Sequence, residues 1–425
     1  MLQFFNSMNK LGIYVQVPFC QTKCTYCNFH TGVVASGRFA PYVEAVCREI
    51  RGYRELYGEA GITLPAGFEN LEAETVYFGG GTPSLLEAEL LGRMIGAIGE
   101  MFAQGRRVSE ERVRSAGGEV GASPSPTVRQ EEMAKMEVTL EADPETVTGE
   151  KAGAWVAAGI NRVRFGVQSF SDRELVAAGR MHRRADIYRA AGILRAAGIR
   201  NISFDLIAGL PHQTRESWKE SLEELGKLAP EHVSVYLLEV DEGSRLGLEI
   251  LQSGTRYSAG AVPSDDLMAE FYETACAFLG ELAYHHYEIS NWARPGFESK
   301  HNLKYWKREA YLGFGAGAHS FSGTQRWANA HDAAGYVGAI TAGRLPTEQL
   351  EVVTRASALE EELFLGLRQL DGIDVGRIER EYGVSLATRF EGLESGGLIE
   401  RDGEMVRLAP AKLSVSNEVF VELMK

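Results

Sequence analysis

The segment that decides the fold runs Gly12-Ile13-Tyr14-Val15-Gln16-Val17, then Pro18-Phe19-Cys20-Gln21-Thr22-Lys23-Cys24-Thr25-Tyr26-Cys27. Its first half reads as a buried strand, apolar and stopped by a proline. Its second half sets three cysteines at C-x3-C-x2-C on the loop that follows. Three thiolates so spaced can hold three irons of a [4Fe–4S] cluster and leave the fourth iron open to a small molecule. Two other readings stay open on spacing alone. His30 would complete a Cys3His zinc set. Alternatively the thiols are simply buried and unligated, an odd arrangement beside Lys23 and Thr25.

Working outward, strand-like runs recur at Thr75–Phe78, Met136–Leu140, Arg162–Val167, Asn201–Ile207 and Val233–Leu238. Helical patterns alternate with them at Phe39–Leu56, Glu87–Phe102, Gly149–Ala158, Arg183–Ala197 and Glu216–Leu228. Strand-then-helix units in series imply parallel strands joined by right-handed crossovers. A doubly wound sheet or an incomplete (β/α)6 TIM-like barrel fits that order. The barrel is preferred because unusual residues fall at nearly every strand end, where such folds keep their chemistry. They include the cysteines, Gly79-Gly80-Gly81-Thr82, Glu141, Gln168 and Asp205. Consecutive glycines allow a close backbone approach and can offer N–H groups to a carboxylate. Arg164 shares the face of Gln168 by period-2 alternation, hence the barrel interior. An unpaired buried guanidinium is costly, so Arg164 is expected to pair with Glu137 or Glu141 on the neighbouring strand.

Composition narrows the function classes. The 425 residues suit a large barrel plus an appendage. Fifty-eight acidic against 44 basic side chains, a net charge of −14, disfavour nucleic-acid binding. No apolar run reaches the roughly 18 residues of a transmembrane helix, and peripheral membrane contact stays open. Met1–Lys10 shows no secretory signal, and five cysteines do not make a disulfide framework, so a cytoplasmic location is expected.

Three regions are expected: a barrel over 1–240, a connecting region over 241–350 and a separate domain over 351–425. Ala103–Ala134, rich in Gly, Ser, Pro, Arg and Glu, reads as a flexible insertion in the barrel. In the last region, helical patterns at Leu359–Leu370, Asp374–Tyr382 and Ala387–Glu394 precede a hairpin turned at Asp402-Gly403. Three helices and a β-wing predict a winged-helix-like α+β domain. Its nine basic and fifteen acidic side chains point to a protein-facing or lid role rather than to DNA.

Several ordered motifs together resemble the radical S-adenosylmethionine enzymes of the oxygen-independent coproporphyrinogen III oxidase group. They are the strand and cysteine loop, Gly79-Gly80-Gly81-Thr82-Pro83, Glu141-Ala142-Asp143-Pro144, Gly166-Val167-Gln168-Ser169-Phe170, Gly179-Arg180-Met181-His182 and Asp205-Leu206-Ile207-Ala208-Gly209-Leu210-Pro211. The resemblance implies that Cys20, Cys24 and Cys27 bind a [4Fe–4S] cluster whose open iron chelates S-adenosylmethionine. It also implies that Tyr14, Tyr26, Gly80, Gly81, Thr82, Glu141, Gln168, Arg180 and Asp205 line the cofactor site. Those residue types suit an ammonium, a carboxylate and ribose hydroxyls.

The family divides into true oxidases and heme chaperones. Oxidases carry a further cysteine two positions after the third, where this chain has Phe29. His301-Asn302-Leu303-Lys304-Tyr305-Trp306 fits the HNxxYW pattern of the heme chaperone branch, and the Tyr311–His319 run is also similar. The resemblance therefore implies heme as cargo and heme-acceptor proteins as partners. His301, Tyr305 and Trp306 become candidate heme contacts, since a histidine among aromatic rings can serve as an axial iron ligand. His285, His286 and His319 are weaker candidates, and Cys47 and Cys276 read as core thiols.

Overall fold

The computed structural model describes residues 10–102 and 136–424; the expected Ala103–Ala134 insertion lies outside them. Strands β1 (Lys10–Val17), β2 (Glu72–Gly80), β3 (Glu137–Ala142), β4 (Arg162–Gln168), β5 (Asn201–Ala208) and β6 (His232–Leu237) lie side by side in chain order, all parallel. A helix follows each of the first five, at Phe39–Glu59, Ala88–Phe102, Gly149–Ala158, Arg184–Ala197 and Arg215–Leu228. This is the incomplete parallel barrel that the alternation predicts.

Period-2 alternation splits each strand between two environments. Leu11, Ile13, Val15 and Val17 of β1 are fully buried in the apolar layer between sheet and helices. The helix Phe39–Glu59 answers with Val43, Val46, Cys47, Ile50, Tyr53 and Tyr57, a 3.6-period stripe. Local chemistry sets the helix ends. Thr148 and Thr214 cap their helices by accepting from Lys151 N–H and Ser217 N–H, and Gly159 closes the first in a left-handed conformation. The other face of the strands is polar and points into the lumen. It carries Tyr14 and Gln16, then Thr75 and Tyr77, Glu137 and Glu141, Arg162 and Arg164, Asp205, and Ser234 and Tyr236.

The barrel does not close on itself. β7 (His285–Glu288) and β8 (Asn291–Ala293) extend the β6 edge antiparallel. On the other side β9 (Tyr311–Phe314) runs parallel to β1, and β10 (His319–Phe321), β11 (Gln325–Asn329) and β12 (Thr347–Val352) continue it antiparallel. The 241–350 stretch thus supplies both flanks of one twelve-stranded sheet. Beyond it, helices Arg355–Gly366, Val375–Tyr382 and Ala387–Ser395 pack with β13 (Ile373–Asp374), β14 (Ile399–Asp402) and β15 (Met405–Leu408) as a winged-helix-like unit. Gly403 adopts φ +62° at the hairpin tip, as the Asp-Gly pair predicts. A further helix, Ser416–Leu423, which the sequence patterns do not predict, closes the unit.

One buried carboxylate ties the β9 to β11 flank to the barrel. Glu49, fully buried on the first helix, accepts from Gly315 N–H at 2.9 Å, Asn329 Nδ2 at 2.7 Å and the Tyr336 hydroxyl at 2.5 Å. Burial pushes its carboxyl up to about 7 although all three donors pull it down. Glu49→Ala strands those donors in a dry interior and is expected to cost about 3 kcal/mol or more. Urea unfolding measures it: the midpoint drops while the slope holds, and an unmoved midpoint would show that the flank is held by other contacts.

Candidate cluster and cofactor site

A cavity of about 630 Å³ opens at the carboxyl ends of the barrel strands. Cys20, Cys24 and Cys27 form one wall; Tyr26, Gly80, Gly81, Thr82, Glu141, Gln168, Arg180 and Asp205 line the rest. The structure therefore brings together every residue of the expected cluster and cofactor set except Tyr14. That side chain lies below the cavity and donates its hydroxyl to Gln16 Oε1 at 2.7 Å.

The cysteine loop is pinned at both ends and in the middle. Cys20 N–H donates to the Gly32 carbonyl and Gly32 N–H to the Pro18 carbonyl, while Thr25 N–H donates to Ala178. Burial pushes the thiols of Cys20 and Cys27 up, so each proton must leave when a metal binds. Arg180 Nη1 donates to Cys24 Sγ at 3.4 Å, a contact suited to a thiolate. Among the described residues no three His, Cys, Asp or Glu side chains converge on a single ion position. A cubane needs no such convergence, because each thiolate takes a different iron. His30, the fourth ligand of the zinc alternative, instead packs against His331, with ring centroids 3.9 Å apart and the planes tilted by 31°. The residues present fit a cluster better than a tetrahedral zinc.

Two expectations need correction. The glycine run does not hold free N–H groups for a ligand. Gly80 N–H donates to Glu141 Oε2 at 3.1 Å, Gly81 N–H to the Val17 carbonyl at 2.8 Å and Thr82 N–H to the Phe19 carbonyl at 2.7 Å. The glycines instead let β2 press against the lead-in to the cysteine loop. A Cβ on Gly81 would sit 2.5 Å from the Phe19 carbonyl oxygen. Nor does Arg164 pair with Glu137 or Glu141. Its Nε donates to both oxygens of Asp205, at 2.9 and 2.6 Å, and it also donates to the Tyr236 hydroxyl. Glu141 is already held by Gly80 N–H and by the Tyr77 hydroxyl at 2.7 Å, and Arg164 reaches it only through that hydroxyl, at 3.2 Å. Glu137 belongs to Arg162, 3.6 Å away.

A second ion pair sits nearer the cysteines. Arg180 binds Asp143 and donates to the Gly166 carbonyl at 3.0 Å, and its Nε is buried without a partner among the described residues. Asp143 belongs to the Glu141-Ala142-Asp143-Pro144 motif and shares the strand-end parity of Glu141, a signal that singles it out. Tyr236 was readable likewise, by alternation along β6. Arg368, Ser414 and Asn417 also reach the cavity, and no sequence signal places them there.

His301, Tyr305 and Trp306 are not brought to the cavity. They lie on the helix Lys300–Trp306, which plugs the opposite end of the barrel. His301 is buried with Nδ1 2.7 Å from Thr75 Oγ1 and Nε2 2.9 Å from the Tyr305 hydroxyl, and its ring stacks on Tyr77. Its N–H donates to Glu137 at 3.4 Å. Trp306 packs under the Arg368 guanidinium, 4.5 Å from the ring centroid. Of the weaker candidates, His286 stacks on Trp292, His285 faces Glu298 at 3.5 Å, and His319 is exposed on β10. Cys47 is buried, and Cys276 packs against the main core.

Gly166 leaves room for two cavity residues. A Cβ there would come within 2.7 Å of Gln168 Nε2 and 3.2 Å of Arg180 Nη2. Gly166→Ala is expected to weaken S-adenosylmethionine binding roughly tenfold by displacing both side chains. Calorimetric titration of cluster-loaded protein checks this, and parent-like affinity would remove Gln168 and Arg180 from the site. His301 yields a pH prediction. Burial holds its ring down to about 3, so its neutral form stabilises the fold above the unfolded value near 6.5. That contribution fades as pH falls from there toward 3. The stability gap between parent and His301→Gln should narrow between pH 7.5 and pH 5; a constant gap in urea titrations would contradict it.

The Radical SAM superfamily model matches residues 14–225, and the HemN C-terminal domain model matches residues 353–411. Heme chaperone HemW of Bacillus subtilis is 33% identical over 96% of this chain and 97% of its own length. Heme chaperone HemW of Lactococcus lactis is 30% identical over 96% and 95%. Among solved structures, coproporphyrinogen III oxidase (HemN) from Escherichia coli superposes with a TM-score of 0.75 at 20% identity, over 98% of this chain and 90% of that one. The last likeness shows the fold. The full-length identity to the first two shows the family: the chain belongs to the HemW heme chaperone family of the radical SAM superfamily.

Proposed function

We propose that this protein is a heme chaperone that carries a [4Fe–4S] cluster with S-adenosylmethionine and passes heme to acceptor proteins. The observation that carries the reading is Phe29. It stands, 63% exposed, two residues after Cys27, where the oxidase branch has a further cysteine, on a loop otherwise complete for the cluster. The full-length relatives named heme chaperones add to it. Cys20, Cys24 and Cys27 would hold the cluster. Glu141 would face the cofactor ammonium, and the unpartnered Nε of Arg180 an anionic group. Gln168, held at φ +66° where β4 bulges beside β5, projects into the cavity as a hydrogen-bonding group for a hydroxyl. When bound, the cluster and its cofactor supply one-electron reductive cleavage of a sulfonium. This chain's residues would orient the cofactor.

The acidic C-terminal unit contributes Ser414 and Asn417 to the cavity lining, and its outer face is where we place a protein partner. Among the described residues no helix is long and apolar enough to cross a membrane, and we infer that the chain works in the cytoplasm. The alternative is an oxygen-independent coproporphyrinogen III oxidase. A heme titration followed at the Soret band, on anaerobically reconstituted protein, separates the two. Saturation near one heme per chain with no decarboxylation of coproporphyrinogen III is expected. Absence of saturable binding with an intact cluster, together with porphyrinogen turnover, would establish the oxidase instead.

A further inference from the structure

The outer side of the cysteine loop carries metal-ligating chemistry that the cluster does not use. A depression of about 810 Å³ lies there, within the size range of ligand sites and separate from the cofactor cavity except for residues of the shared loop. His30 lines it, exposed, and among the described residues its ring nitrogens make no hydrogen bond or ion pair. His331 backs His30 in a tilted ring contact, with centroids 3.9 Å apart. Gly317, at φ +74°, makes room for that second ring, since a Cβ would fall 2.7 Å from His331 Nδ1. The Tyr311–His319 run singled out in the sequence thus has a role: its glycine seats His331.

The surroundings suit a flat apolar ligand with a charged edge. Phe29 and Val34 line the depression at 63% and 41% exposure, and Val33 adjoins at 62%. Apolar side chains so exposed on one short loop mark a surface that something covers. Lys23 reaches the same depression and, among the described residues, has no ion-pair partner. The carboxylates nearby are already engaged. Asp332 accepts from Ala334 and Gly335 N–H, and Asp241 accepts from Gly243 N–H and the Asn28 amide.

We propose that heme docks in this depression, with His30 as its axial iron ligand, His331 as the positioning residue behind it and Lys23 facing a propionate. An iron porphyrin asks for these three things together: a free imidazole nitrogen, an apolar face and a cation at the rim. His301, at the barrel floor with both ring nitrogens engaged, offers none of them to a ligand of that size.

The proposal rests on the heme chaperone reading, and the test keeps the two apart. Full-length, cluster-loaded parent, His30→Ala and His331→Ala are titrated with heme and followed at the Soret band. Cluster iron and sulfide are measured alongside. His30→Ala should bind roughly tenfold more weakly or worse, with a shifted band and an unchanged cluster. His331→Ala should move the same band with a smaller loss of affinity. Saturable parent binding that His30→Ala reproduces in affinity and band position would overturn the site while sparing the chaperone reading. A parent that binds no heme overturns both.

Discussion

The barrel depends on neutralising a guanidinium inside its own lumen. Arg164 touches side chains from three other strands: Asp205 on β5, Tyr77 on β2, and Ser234 and Tyr236 on β6. Losing its carboxylate would leave a buried charge unpaired, a penalty of about 3–5 kcal/mol. The arrangement therefore resists small shifts of those strands against one another. One layer below, Arg162 and Glu137 repeat the motif, with Arg162 also donating to the Phe297 carbonyl at 2.9 Å. Between helices and sheet, dispersion and burial hold the fold; inside the barrel, paired charges hold it.

That polar lumen shapes what the cavity can offer a ligand. Asp205 and Arg180 each enter with a partner, Arg164 and Asp143. A bound molecule meets their remaining lone pairs and N–H groups rather than a naked charge. Glu141 is the exception in kind: among the described residues no cation touches it directly, and burial pushes its carboxyl up. A ligand ammonium in this cavity would therefore gain most by settling there, since it supplies the positive charge that the site lacks.

What was legible in the sequence follows from how local each cause is. Strand and helix periods are local, and all six barrel strands fall close to their expected places. The C-terminal hairpin is local too, fixed by Asp402-Gly403. Parity placed Arg164 inside the barrel, but its partner depended on which neighbouring carboxylates were already satisfied, and that is decided by Tyr77, Gly80 and Arg162. The glycine run was visible, yet whether its N–H groups stayed free depended on the backbone of Val17 and Phe19, sixty residues upstream. The HNxxYW residues were equally visible. Their place at the barrel floor comes from contacts of His301 with Thr75 and Glu137, which no spacing within the motif encodes.

The loop from Pro18 to Val34 stands between the two sites. Its thiols face the cofactor cavity and His30 faces the outer depression, while Lys23, Asn28, Phe29 and Thr31 border both. The loop is held by backbone hydrogen bonds at Cys20, Thr25 and Gly32, and Leu246 N–H adds another to the Thr25 carbonyl at 2.8 Å. Those anchors leave few independent ways for it to move. A cluster that changes the positions of Cys24 and Cys27 must act on Asn28, Phe29 and His30 through three consecutive peptide bonds. Any coupling between binding at one face and binding at the other would have the same free energy in both directions. A heme site built on the far side of the cluster loop, rather than in a distant pocket, would make loading and release of heme answer to the state of the iron–sulfur centre.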